Sequence, residues 1–210
     1  MGLLSLFGIG CEGTASALAR EIMGEWMITV EDVEKSLGVK FAARDRERLA
    51  EVPWSEDALK EAADHYVLFP GYPTGLEEIR SEFGLGAGWN ESNLYDFKEK
   101  VRPRWYLMSA RDPRESGAGT FADHSRALRW GETFPCVPEV AYLIVLLYKL
   151  KDIMLFPDDV VRCQEKTASG YHAAVGWTSG GIHIAGWADW ATMPETNGRM
   201  KFIRSRKPYR

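Results

Sequence analysis

A helix that is apolar on every face has to lie inside a protein, and this chain contains one. Val140, Leu143, Ile144, Leu146, Leu147 and Leu150 leave no side of a helical wheel without a large apolar group. Pro138 stands where proline is tolerated, in the first turn, and the pattern runs to about Lys151. The apolar run Val140–Tyr148 is too short to cross a bilayer. This helix is therefore expected in the core, packed on the strands that follow it.

Upstream, helical signals dominate. Thr14 is placed to cap a helix with Leu18 and Ile22 on one face and Gly24 as its stop. Thr29 caps a second, with Val33 and Leu37 four apart and Gly38 at its end. Ser55 precedes Glu56 and Asp57, a third start with acids in the first turn. Tyr66-Val67-Leu68-Phe69, ended by Pro70-Gly71, reads as a buried strand. Helical spacing returns from Gly75 to Phe83 through Leu76 and Ile79, and Trp105 to Met108 reads as a strand. Residues 111–138 are rich in Gly, Pro, Ser and Asp and are expected to be irregular.

After Pro157 the chain turns to β character: Val160 to Cys163, Ala173 to Trp177, Ile182 to Ile184 and Lys201 to Arg204. Helices first and strands last predict an α+β fold rather than a doubly wound sheet. With 210 residues, 45% apolar, the chain can bury a core as one domain without metal or disulfide staples. A helical N-terminal part, 1–64, is expected to lead into the remainder.

The net charge of −4 argues against nucleic-acid binding by the whole chain. The charge is uneven: Arg199, Lys201, Arg204, Arg206, Lys207 and Arg210 form a terminal run without an acid. Such a run can touch phosphate or anionic lipid, but is expected here to be a solvated, frayed terminus. Cys11, Cys136 and Cys163 are too widely spaced for a zinc site and read as buried free thiols. The start MGLLSLFGIGC lacks a basic flank for a secretory signal, and Leu6 breaks the myristoylation pattern.

Motifs that would carry catalysis are thin. Gly8-Ile9-Gly10-Cys11-Glu12-Gly13 matches the dinucleotide glycine pattern, but no alternation of β and α units follows, so no cofactor is expected. Asp123-His124-Ser125 brings three triad residue types together, yet neighbours in sequence point in different directions. The four histidines show no paired metal spacing. An enzyme using Asp123, His124 or Cys136 in an unrecognised cleft remains one alternative, and a phage structural protein another.

The most informative stretch is Thr167 to Pro194. Over these residues the only formal charge is Asp189, among five glycines and Trp177, Trp187 and Trp190. Aromatic rings interleaved with Gly and Ser make rigid contact area on an adaptable backbone, as binding surfaces do. A core strand pair joined at Gly180-Gly181 fits equally. Strand alternation puts Ile182 and Ile184 on one face, His183 and Ala185 on the other, so both can hold.

Trp105-Tyr106-Leu107-Met108, the helix Glu139 to Lys149, and Tyr171 to Trp177 through Ser205-Arg206-Lys207 carry a resemblance. Over roughly residues 65–207 the chain resembles variable target proteins of diversity-generating retroelements, which are similar in fold to C-type lectins. In that family an error-prone reverse transcriptase rewrites the 3′ end of the target gene, and side chains near the C-terminus vary on a fixed backbone. The resemblance implies a C-type-lectin-like domain with a variable region at about 171–204. It implies framework positions at Val175, Gly176, Ile182, Ile184, Gly198 and Phe202. It implies displayed, ligand-binding positions at Trp177, Ser179, His183, Gly186, Trp187, Asp189, Trp190 and Asn197. The implied partner is a protein or other cell-surface macromolecule, with no catalytic residue, metal or cofactor. Ser179-Gly180-Gly181 only partly matches the Gly-Gly-Ser-Trp run of better-known members.

Overall fold

The structure, a computed structural model, describes residues 14–83, 97–110, 120–157, 159–178, 181–187 and 200–208. Strand β1 (Thr14–Ala15) leads into α1 (Ser16–Met23), followed by a 3-10 turn at Gly24–Trp26. Next come α2 (Val30–Leu37), α3 (Ala43–Arg48), β2 (Glu51–Val52) and α4 (Glu56–Ala62). Strand β3 (Val67–Pro70), α5 (Leu76–Phe83), β4 (Trp105–Met108), α6 (Phe121–Ala127) and β5 (Glu132–Thr133) precede the long helix α7 (Val137–Lys151). The chain closes with β6 (Val160–Lys166), β7 (His172–Thr178), β8 (Gly181–Trp187), β9 (Met200–Phe202) and β10 (Ser205–Arg206). The fold is α+β. No helix among the described residues is long and apolar enough to cross a membrane.

Helix α7 occupies the centre. Every residue from Val137 to Leu147 is buried. It packs on β6, β7 and β8 and is also contacted by α2 and α5. At the crossing with β3, the Tyr142 hydroxyl donates to the Pro70 carbonyl at 3.3 Å and accepts the Tyr72 N–H at 3.2 Å. A phenol in so apolar a place has to be paired in this way. Asp152, in the left-handed region at φ 54°, ends the helix.

The predicted caps on α2 and α4 form. The Thr29 hydroxyl accepts the Asp32 N–H at 3.2 Å, and the Asp32 carboxylate accepts the Thr29 N–H at 2.9 Å, a reciprocal capping box. The Ser55 hydroxyl accepts the Ala58 N–H. Thr14 is different. It pairs with Val52 in β1–β2, and its hydroxyl donates to the Trp54 carbonyl at 2.6 Å. Helix α1 therefore starts two residues later and buries Ala19 and Met23, leaving Leu18 exposed. Helix α1 lies against α4, and its small Ala19 rather than Leu18 is buried.

Three sheets form among the described residues. The first is β1-β2, the second has the order β3-β4-β10-β5, and the third has the order β8-β7-β6-β9. In the third, β8, β7 and β6 are antiparallel neighbours, while β9 runs parallel to β6. A continuous buried cluster extends from Ala19 to Ile203 and includes both the N-terminal helices and the later strands. The Ile28 N–H donates to the Leu68 carbonyl at 2.8 Å, tying the first part of the chain to β3.

Two expectations are corrected. The 111–138 segment is not irregular throughout, because its described part contains α6 and β5; Thr120 and Asp123 form a capping box that starts α6. The basic terminal run is not frayed where it is described. Strand β10 lies between β4 and β5, with Ser205 opposite both Met108 and Thr133. Two of the cations in this run are matched by carboxylates. Arg204 lies 3.6 Å from Glu132, whose side chain is buried and also accepts the Tyr66 hydroxyl at 2.8 Å. Arg206 reaches Glu61 at 2.9 Å. These pairings hold what composition alone would leave in solvent.

Candidate functional site

Strands β7 and β8 form an unbroken seven-pair ladder from His172 opposite Trp187 to Thr178 opposite Gly181. Directly opposed residues share a face of the sheet, and successive residues alternate between faces. One face carries Val161, Val175 and Ile184, opposed across β6, β7 and β8 and all buried. Ile182, two residues before Ile184, shares it and opposes Trp177. This is the face of the core. The other carries Gly176 opposite His183 and Ala174 opposite Ala185, with His183 and Ala185 partly exposed.

This register divides the eight implied display positions. His183 lies on the outward face, and Gly186 is exposed. Trp187 ends β8, opposite His172. Trp177 belongs to the core: it is 7% exposed, and its ring lies 4.9 Å from that of Tyr148 on α7. The alternation that turns Ile182 inward turns its partner Trp177 inward as well, so Trp177 is removed from the displayed set. Ser179, Asp189, Trp190 and Asn197 lie outside the described residues, as do Gly198 and the Gly8–Gly13 motif.

Of the implied framework, Val175, Ile182 and Ile184 are buried on the core face. Gly176 is required for a different reason. A Cβ at this position would stand 2.2 Å from the Asp159 carbonyl oxygen, so the chain entering β6 passes where any side chain would begin. Phe202 opposes Arg162 across β6 and β9.

Part of the outward face is roofed by α6, which composition did not reveal. The Phe121 ring stacks on His172 with centroids 3.5 Å apart and planes 11° from parallel. Arg162, opposite Ala174, is only 2% exposed and lies 5.9 Å from the same ring. The Thr-x-x-Asp spacing at Thr120 and Asp123 is the signal that finds this helix. No sequence pattern marks Arg162 as an interior cation. At the turn between β6 and β7, Tyr171 is 44% exposed, and its Cβ lies 3.3 Å from where a Cβ at Gly186 would stand.

Asp123, His124 and Ser125 do not converge as a triad. The Asp123 carboxylate caps α6 and pairs with Arg126 at 3.1 Å. The Ser125 hydroxyl donates back to the Phe121 carbonyl at 2.7 Å, and His124 is buried. Cys136 stands at the head of α7, where Gln164 Nε2 donates to its Sγ at 3.1 Å. Burial pushes its thiol well above the ordinary range, and the carboxylates of Glu139, Glu165 and Glu99 add to that. A nucleophilic cysteine needs the opposite surroundings. Glu165 accepts the Val137 N–H at 2.9 Å, and burial raises its carboxyl to about 7, with Glu139 adding to the effect. Among the described residues no group of three or more His, Cys, Asp or Glu could hold a metal ion.

No family model, curated protein or solved structure matches the chain.

Proposed function

We propose that this chain is a ligand-binding display protein on a C-type-lectin-like scaffold. Residues Ser179, His183, Gly186, Trp187, Asp189, Trp190 and Asn197 would contact a protein or other macromolecule of a cell surface. One observation carries the reading. Strands β8 and β9 are the two edges of the same sheet and run parallel to each other, so residues 188–199 begin and end on one frame. Parallel strands require a crossover of about a dozen residues, and this interval is where Asp189, Trp190 and Asn197 fall. Val175, Ile182 and Ile184 anchor the frame on α7. The frame is thus held by buried residues that lie outside the interval, which is what a surface that varies on a constant backbone requires.

The test is a displayed library randomised at Ser179, His183, Asp189, Trp190 and Asn197, beside one randomised at Val175, Ile182 and Ile184. The first should remain mostly folded and yield binders against a panel of purified surface proteins; the second should be mostly unfolded. Equal loss of folding in the two libraries overturns the reading. In the genome, the proposal also requires a near copy of the 3′ end of the gene beside a reverse-transcriptase gene.

A further inference from the structure

Two basic runs far apart in sequence meet at one cleft. The first, Lys100, Arg102 and Arg104, approaches β4; the second, Arg206 and Lys207, ends β10. Because β10 pairs antiparallel with β4, the runs are brought to the same place. Between them opens a cleft of about 260 Å³, floored by Tyr106, Phe134 and Cys136 at the head of α7. All five cations line it, against the two carboxylates Glu99 and Glu139. With Glu78 and Glu61, which pair with Lys100 and Arg206 from outside the lining, five cations meet four carboxylates, so the cleft keeps a small positive excess on a chain of net charge −4.

Both lining carboxylates are already engaged. Glu139 accepts from Arg104 at 3.1 Å and from the Cys136 N–H at 2.9 Å, and Glu99 lies 3.5 Å from Arg102. The contact with Glu139 and the Tyr106 ring, 4.8 Å from the guanidinium carbon, hold Arg104 in place while its side chain stays 54% exposed. A guanidinium has five N–H donors, so one such contact leaves others available for a ligand. Lys100 and Arg206 are oriented by Glu78 and Glu61, which are not part of the lining. Lys207 is exposed, and its backbone N–H is fixed on the Gly131 carbonyl at 2.9 Å. The Thr133 and Ser205 side chains and the Gln164 amide add neutral polar groups to the wall.

We propose that this cleft binds a small oxyanion-bearing ligand, a phosphate or carboxylate group carried on a compact molecule. The volume admits a small metabolite-sized anion. The site shares no residue with the display positions, so the proposal does not depend on the reading of residues 171–204. Charge-assisted hydrogen bonds from fixed Arg and Lys groups supply the affinity, and salt should weaken it.

The experiment is calorimetric titration of the full chain with inorganic phosphate, ribose 5-phosphate and citrate at low and moderate ionic strength. Saturable one-site binding of at least one probe is expected, weakened by salt. Preference for the phosphates or for citrate identifies the source of the anionic group, and either supports the site. Lys207→Gln and Arg102→Gln, both at exposed positions, should each weaken binding by about threefold to tenfold. Lys35→Gln on α2 should leave it unchanged. Arg104→Gln should weaken it further, but it also leaves the buried Glu139 without its ion pair, so the Lys207 and Arg102 variants decide. Absence of saturable binding by all three probes overturns the proposal. Binding that is insensitive to Lys207→Gln and Arg102→Gln, or lost equally in Lys35→Gln, overturns it too.

Discussion

The Trp177 ring lies against the Tyr148 ring, centroids 4.9 Å apart and planes 36° from parallel, joining β7 to the last turns of α7. Trp177 is opposed by Ile182 and lies on the core face, whereas His183, one residue further along β8, lies on the outward face. Trp177→Ala should therefore cost about 3–5 kcal/mol, as removal of a large buried ring does. His183→Ala should stay within about 0.5 kcal/mol. Urea denaturation of the two variants beside the parent measures both. Equal midpoints for the Trp177 variant and the parent would contradict the register of β7 on β8.

A second expectation concerns the centre of α7. Leu143 is fully buried in the stretch that packs on the late strands. Leu143→Ala should cost about 2–5 kcal/mol, transfer and cavity terms together. The denaturant slope should not change, because the surface exposed on unfolding stays nearly the same. An unchanged midpoint would mean that this helix is not the core of the fold.

Which features were legible in the sequence follows from how local their causes are. Helix α7 was readable because an apolar wheel and a first-turn proline act within fifteen residues. The Thr29 and Ser55 caps were readable because each closes over three residues. The displayed role of Trp177 comes from the resemblance alone; strand alternation puts it on the face of Val175, two residues earlier, and its burial against Tyr148 follows that alternation. The run at 199–210 reads as solvated because the carboxylates that pair with Arg204 and Arg206, Glu132 and Glu61, lie far away in sequence. Helix α6 is hard to see in the sequence because Gly, Ser and Asp around it outweigh a short capping box. The anion cleft could not be read at all, since it exists only where β10 meets β4.

The last expectation concerns pH. Glu165 is raised from 4.5 to about 7, first by burial and then by the charge of Glu139, while its bond from the Val137 N–H pulls the other way. Its Oε2 is buried without a hydrogen-bond partner. In the unfolded chain the carboxyl returns to its ordinary value, so between roughly pH 4.5 and 7 the folded state holds a proton that the unfolded state has lost. The contribution of the protonated group is fully present below pH 4.5 and is lost as pH rises through about 7. Folding stability should thus fall over this window by an amount on the order of 1–3 kcal/mol from this residue. Glu165→Gln keeps an oxygen for the Val137 N–H but cannot ionise. The variant should lose that part of the pH dependence and be more stable than the parent at pH 8, with little difference at pH 5. Urea midpoints at the two pH values decide it: a parent that is equally more stable than the variant at pH 5 and pH 8 would show that Glu165 does not titrate within the fold over this range.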